Sequence, residues 1–273
     1  MREDTASVRE KLEDTVPPLK TGPGTAGELP LPSPLLLDAS TLPEEALERM
    51  ARALPPSRRE AAVRRRGTAR REATAASYLA LFALLRPEGG EGGPSFPSLE
   101  ELLEAERAVA QLAEKAGWPV GPYGQPFPGG CFLPGGALSR EEGDAGSPRH
   151  PRYVSLAHSG GTAAAAAYPA PVGLDLQREV PSPPGRLRRI AGKFHPAERE
   201  RLACLPEEAL PAAFRRLWAE KESVLKLCGR GLSLPLSAFC VGEDGTGRLE
   251  GRAFRIAGWE TEAGSLAAAV WAE

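Results

Sequence analysis

Val172-Gly-Leu-Asp-Leu-Gln177 alternates apolar with polar or small residues at the two-residue period of a β-strand. Val172, Leu174 and Leu176 are expected to face a core, and Gly173, Asp175 and Gln177 the opposite side. There two oxygen-bearing side chains stand beside a glycine that leaves room for a ligand, which is half of a site for a hard cation. By itself the signal is weak, because a strand acid between apolar neighbours is commonly just solvated. Upstream, Tyr153–Ala157 and Thr162–Tyr168 also read as strands. The run Ala163–Ala167 favours helix by intrinsic propensity. The stretch between Gly160-Gly161 and Pro169 is too short for a comfortable helix, so a buried strand is expected.

Downstream the pattern predicts helices over 186–193, 196–204 and about 208–228, the last ended by Gly229-Arg-Gly231. Strands are expected at 234–241, 248–257 and 266–272. On the N-terminal side, Leu35–Leu37 reads as a first strand and Pro43-Glu44-Glu45 opens a short helix. One long helix is expected from Pro55-Pro56-Ser57 to about Leu85, arginine-rich early and apolar late, and Ser98 caps another from Leu99 to Lys115. Helices interleaved with strand pairs indicate an α+β fold. Residues 1–30 are expected to be a poorly ordered extension and 128–150 an exposed irregular insertion.

Bulk properties narrow the function classes. The 273 residues are 26% charged, with a formal net charge of −2, so no general basic field of the nucleic-acid-binding kind exists. Cys131, Cys204, Cys228 and Cys240 form no C-x-x-C pair, and with three histidines a zinc site is not expected. Neither an apolar signal segment nor a run of membrane-spanning length is present, so a cytoplasmic protein is expected.

Inside the long helix lies Leu217-Trp-Ala-Glu-Lys-Glu-Ser-Val-Leu-Lys226. Phe214, Leu217, Leu225 and Cys228 form an apolar stripe, while Trp218, Glu222 and Lys226 fall four apart along one side. An exposed Glu–Lys helix pair, worth ~0.3–0.5 kcal/mol, is the ordinary explanation of such spacing. Together, however, G-x-D-x-(E/Q) and, some 45 residues later, W-x-x-K-E-S-x-x-K closely resemble the signature pair of the 4'-phosphopantetheinyl transferase superfamily. The larger, pseudodimeric surfactin-synthetase-activating type is the best match. Further stretches fall in the same order: Tyr123-Gly-Gln-Pro126, Leu156-Ala-His-Ser-Gly160, Lys193-Phe-His-Pro-Ala-Glu198 and Gly229-Arg-Gly-Leu-Ser-Leu-Pro-Leu236.

The resemblance implies two similar α+β halves about a pseudo-twofold axis, 31–168 and 169–273, with coenzyme A between them and a monomeric chain. It implies transfer of phosphopantetheine from coenzyme A to a serine of an acyl or peptidyl carrier protein, dependent on Mg²⁺ (Mn²⁺ as a substitute), with 3',5'-ADP leaving. Asp175, Gln177 and Glu222 would hold the metal, and Glu222 would be the general base. Lys226 and His158 would act on the phosphates, with Lys221, Ser159, Gln125, Pro126 and Arg58 or Arg59 completing the coenzyme A site. His195 is expected to be structural or to cap a helix. Three departures stand out: Gln177 in place of an acid, Gln125 in place of a lysine, and Ala157 in place of a serine. They motivate a rival reading, a non-catalytic coenzyme A or carrier-binding protein. Arg58, Arg59, Arg64, Arg65, Arg66, Arg70 and Arg71 leave nucleic-acid binding as a third.

Overall fold

The structure, a computed structural model, describes residues 31–86, 93–116, 118, 153–179 and 182–272. The expectations for 1–30 and 128–150, and for Gln125 and Pro126, lie outside the described residues. The element order is β1 (Leu35–Asp38), α1 (Glu44–Ala53), α2 (Pro56–Val63), α3 (Gly67–Leu85), α4 (Leu99–Glu104), α5 (Glu106–Ala116), β2 (Tyr153–Ser159), β3 (Thr162–Tyr168) and β4 (Val172–Gln177). Then follow α6 (Pro184–Ala191), α7 (Pro196–Ala203), α8 (Leu210–Leu227), β5 (Thr246–Leu249), β6 (Arg252–Thr261) and β7 (Gly264–Trp271). The fold is α+β, with two antiparallel sheets ordered β1-β3-β2 and β4-β7-β6-β5.

The alanine run is a strand, as its length required. Ala163 and Ala165 belong to the cluster built with α1, α3 and α5. Ala164 and Ala166 belong to a second cluster, with Leu36 and Ala157 of the first sheet and Leu174, Leu176, Leu266 and Ala268 of the second. Alternation along β3 thus sends one set of methyls to a helix and the other to a sheet. Small side chains allow both layers to approach closely. Across the second sheet Ala267 and Ala269 meet α8, so the layers run helix, sheet, sheet, helix.

Four sequence expectations are corrected. The helix from 55 to 85 is two helices, α2 and α3, broken at Arg64–Arg66, with Gly67 at φ 54°. The helix over 99–115 is likewise divided at Ala105. No strand forms at 234–241, where 3₁₀ turns at Gly231–Ser233 and Leu236–Ala238 flank Pro235. The backbone groups that a ladder would use there, the Phe239 carbonyl and the Val241 N–H, are bonded instead by Lys221 and Glu198. The strand over 248–257 is a hairpin of β5 and β6, because Glu250 (φ 50°) and Gly251 (φ 84°) make the two-residue, left-handed loop of a tight turn.

Candidate functional site

The side of β4 that carries Asp175 is covered by helix α8. A methyl on Gly173 would lie 1.9 Å from the Ser223 carbonyl and 2.4 Å from the Leu227 nitrogen. The glycine expected to make room for a ligand therefore makes room for helix backbone. This close approach brings the second motif to the first: Lys226 Nζ donates to Asp175 Oδ1 at 2.7 Å. The apolar stripe also packs as expected, Phe214, Leu217 and Leu225 being buried, while Trp218 stacks on Phe214 at 5.8 Å between ring centroids.

Lys226 lies at a seam between edge strands. β2 ends one sheet and β4 the other, and edge strands leave backbone groups that a ladder does not satisfy. The Leu174 N–H donates to Ser155 Oγ at 2.9 Å. Lys226 Nζ donates to the Leu174 carbonyl of β4 at 2.8 Å and the Leu156 carbonyl of β2 at 3.3 Å. Its three bonds hold Asp175 at the junction of the two sheets.

Asp175 is buried and Glu222 half-buried. Burial pushes the Glu222 carboxyl above the usual carboxylate range, the Asp175 charge pushes it further, and Lys226 opposes both. A strand and a helix thus bring two carboxylates within reach of each other's field. Gln177 ends β4 on the same strand face as Asp175. It lines a groove of about 350 Å³ together with Arg178, Ile190, Phe214, Arg215 and Trp218.

On the other side of the seam, His158 of β2 is half-buried. Its Nδ1 lies 2.9 Å from Glu72 Oε2 and its Nε2 3.1 Å from Arg65 Nη1. The remaining Glu72 oxygen accepts from the Gly161 N–H at 2.5 Å. Burial lowers the His158 pKa, Glu72 raises it, and Arg65 and Lys226 lower it further. Ser159 Oγ accepts from the Arg178 N–H at 3.2 Å, and the Arg178 side chain lies over Gly160, where a methyl would meet Cδ at 1.9 Å.

Two expected phosphate ligands are placed elsewhere. Lys221 has no solvent exposure: its ammonium donates to both Glu198 oxygens at 2.8 and 2.7 Å and to the Phe239 carbonyl at 2.9 Å. It lies 4.1 Å from the Phe239 ring centroid. All three of its donors are used in the core, which removes it from any phosphate. Arg59 binds the Ala51, Arg52 and Leu54 carbonyls at the end of α1 and so serves as a helix cap. Arg58 bonds Ser77 at 2.8 Å and stacks over Trp118, and burial, then Arg65, lower its pKa to about 10. Arg70 and Arg71 pair with Glu44. Of the arginine cluster, Arg65 is the one that reaches His158. His195 caps α7 through its ring, and Glu198 returns a bond to the His195 N–H at 3.0 Å, as expected of a structural histidine.

Glu72 was absent from the sequence reading. The signal that could have found it is an acid on the helix face continued by Ala75, Ala76 and Leu79, where periodicity predicts burial. Arg65 and Arg178 carry no local signal that separates them from the other arginines.

Mixed α+β layers, two neighbouring carboxylates and basic groups on both sides of a seam define a fold and site suited to a polyanionic ligand. Residues 171–270 match the profile of the 4'-phosphopantetheinyl transferase superfamily. The chain is 37% identical over 100 residues to the 4'-phosphopantetheinyl transferase psf-1 of Bacillus pumilus, covering 36% of this chain and 41% of that protein. It is 33% identical over 89 residues to a 4'-phosphopantetheinyl transferase of Bacillus subtilis, covering 33% of this chain and 38% of that protein. The chain spans about two fifths of the length of the curated relatives it matches. No helix among the described residues is long and apolar enough to cross a membrane.

Proposed function

We propose that this chain transfers the phosphopantetheine arm of coenzyme A to a serine of an acyl or peptidyl carrier protein and releases 3',5'-ADP. The observation that carries the reading is the junction of Asp175, Glu222 and Lys226, drawn from both superfamily motifs by the contact of Gly173 with α8. The names of the two relatives support the same activity.

The donor set fits Mg²⁺. Asp175 and Glu222 offer hard oxygen ligands, and Gln177 can add an amide oxygen directly or through water. Among the described residues no three His, Cys, Asp or Glu side chains converge as a cage. Mg²⁺ commonly takes one or two carboxylates and completes its octahedron with substrate phosphates and waters. When bound, the ion supplies neutralisation of the pyrophosphate charge.

The side chains do the rest. Glu222 accepts the proton of the carrier serine as that oxygen attacks the β-phosphorus. A carboxyl raised by burial is a stronger base than a solvated one and lies closer to working pH. Lys226, held by two carbonyls and Asp175 but still 29% exposed where Lys221 is enclosed, exchanges its long 3.3 Å bond to the Leu156 carbonyl for the phosphate oxygen that becomes part of 3',5'-ADP. His158 and Ser159, at the end of β2, contact the nucleotide phosphates. The groove beside Gln177 is where the serine-bearing segment of the carrier enters. Residues 31–168 and 169–273 act as the two halves of a monomeric, pseudodimeric chain. The free thiols of Cys204, Cys228 and Cys240 suit a reducing, cytoplasmic setting.

Mass spectrometry of apo-carrier proteins incubated with the chain, coenzyme A and Mg²⁺ tests the reading. A mass gain of one phosphopantetheine with release of 3',5'-ADP is expected. Coenzyme A retained without 3',5'-ADP release would establish the non-catalytic alternative instead.

A further inference from the structure

Glu72 is a buried acid in a helix interior, and burying a carboxylate is costly unless it is paired and hydrogen-bonded. Both of its oxygens are used: one on His158 Nδ1 at 2.9 Å, the other on the Gly161 N–H at 2.5 Å. A carboxylate only accepts, so the His158 ring carries its proton on Nδ1. Nε2 is then the atom that faces outward, where Arg65 Nη1 meets it at 3.1 Å. The bond to Gly161 also fixes the β2–β3 turn, whose Gly160 and Gly161 have φ of 58° and 96°. Helix α3 therefore holds both the ring and the turn beyond it.

We infer that Glu72 is a positioning residue that orients His158 and holds a proton on it, so that the imidazolium and Arg65 together clamp a phosphate group of the ligand. This rests on the reading of coenzyme A as that ligand. In the neutral ring Nε2 accepts from Arg65. An arriving phosphate favours the imidazolium, takes the new Nε2–H and draws the Arg65 guanidinium onto a second oxygen. The charge balance around the ring is set by Glu72 on α3, Arg65 in the α2–α3 turn, Lys226 on α8 and Arg178, which follows β4 and lies over Gly160. Three of these four are cations that oppose protonation, as burial does. Glu72 is the group that favours it, and the phosphate supplies the rest.

The test uses the full chain, Glu72→Gln, and 3',5'-ADP as the probe. Gln keeps an acceptor for Gly161 and the side-chain volume while removing the charge. An NMR titration of the imidazoles, with His150 and His195 as internal references, is expected to show the His158 pKa falling by about one unit in Glu72→Gln. Calorimetry at pH 7.5 is expected to show 3',5'-ADP binding weakened by about fivefold to tenfold, with the loss closing only as pH falls below the free-ring pKa of both proteins. A merely structural Glu72 would give a loss independent of pH, and that result would overturn the inference. So would an unchanged His158 titration, or unchanged affinity, in a variant with a native spectrum. If the wild-type chain does not bind 3',5'-ADP although the titration shifts as expected, the coenzyme A reading fails and the clamp with it, while the Glu72–His158 orientation stands.

Discussion

The two sheets are each crossed by one long helix, α3 on the first and α8 on the second, yet the two contacts bury different chemistry. Where α3 meets its sheet, one acid, Glu72, is consumed by a ring nitrogen and a turn N–H of the same region. Where α8 meets its sheet, two acids remain close, Asp175 and Glu222, with one lysine between the strands. The first contact yields an oriented imidazole. The second keeps two carboxylates in each other's field, with Asp175 paired to Lys226. A helix laid on a sheet becomes a site when the strand beneath it is stripped to glycine and the helix charges cannot all be neutralised locally.

The largest expected effects lie at the second contact. Asp175→Ala or Glu222→Ala should each lower turnover of apo-carrier, read by fluorescent coenzyme A labelling, by about 10³-fold, the scale of losing a principal electrostatic group. Full labelling by either variant would remove the proposed mechanism.

Stability separates the regions next. Lys221 and Glu198 form a bridge without solvent exposure, and removing one partner of such a pair costs about 3–5 kcal/mol. Lys221→Met should therefore lower the urea midpoint far more than Arg58→Met, which loses a Ser77 bond and a ring contact worth about 1–2 kcal/mol. Equal losses would show that the buried charge is not what holds the α7–α8 corner together.

A pH effect of smaller size follows from Glu222. Its folded-state pKa is raised, so the folded chain binds a proton more readily than the unfolded one, and stability falls as pH rises from the usual glutamate value through the raised one. In a chelator, Glu222→Gln should unfold at a higher temperature than wild type at pH 7.5, with the gap closing toward pH 4. A gap that persists at pH 4 would assign the difference to packing. The smallest effect expected is at the strand end: Gln177→Glu should lower the Mg²⁺ concentration for half-maximal rate by a few-fold, and an unchanged requirement would place Gln177 away from the metal.

Much of this molecule was written in local pattern. The two-residue period around Asp175, the helix stripe of Phe214, Leu217 and Leu225, and the short alanine stretch between Gly161 and Pro169 each specify an element, because side-chain direction follows backbone geometry. Where the pattern misled, a backbone detail intervened. A left-handed Glu250-Gly251 turn divided one strand into two, and side chains took over the backbone groups near Pro235.

The site was legible in residue identity and less so in role. Sequence alone determined that Asp175, Glu222 and Lys226 would be present at motif spacing, since covalent order is enough for that. Only the tertiary structure decided that Gly173 admits helix α8, that Lys221 and Arg59 are spent on the core and a helix end, and that Glu72 and Arg65 reach His158 from far along the chain. Those outcomes depend on which of many chemically similar acids, lysines and arginines meets which partner, and contacts between remote segments leave no period in the sequence.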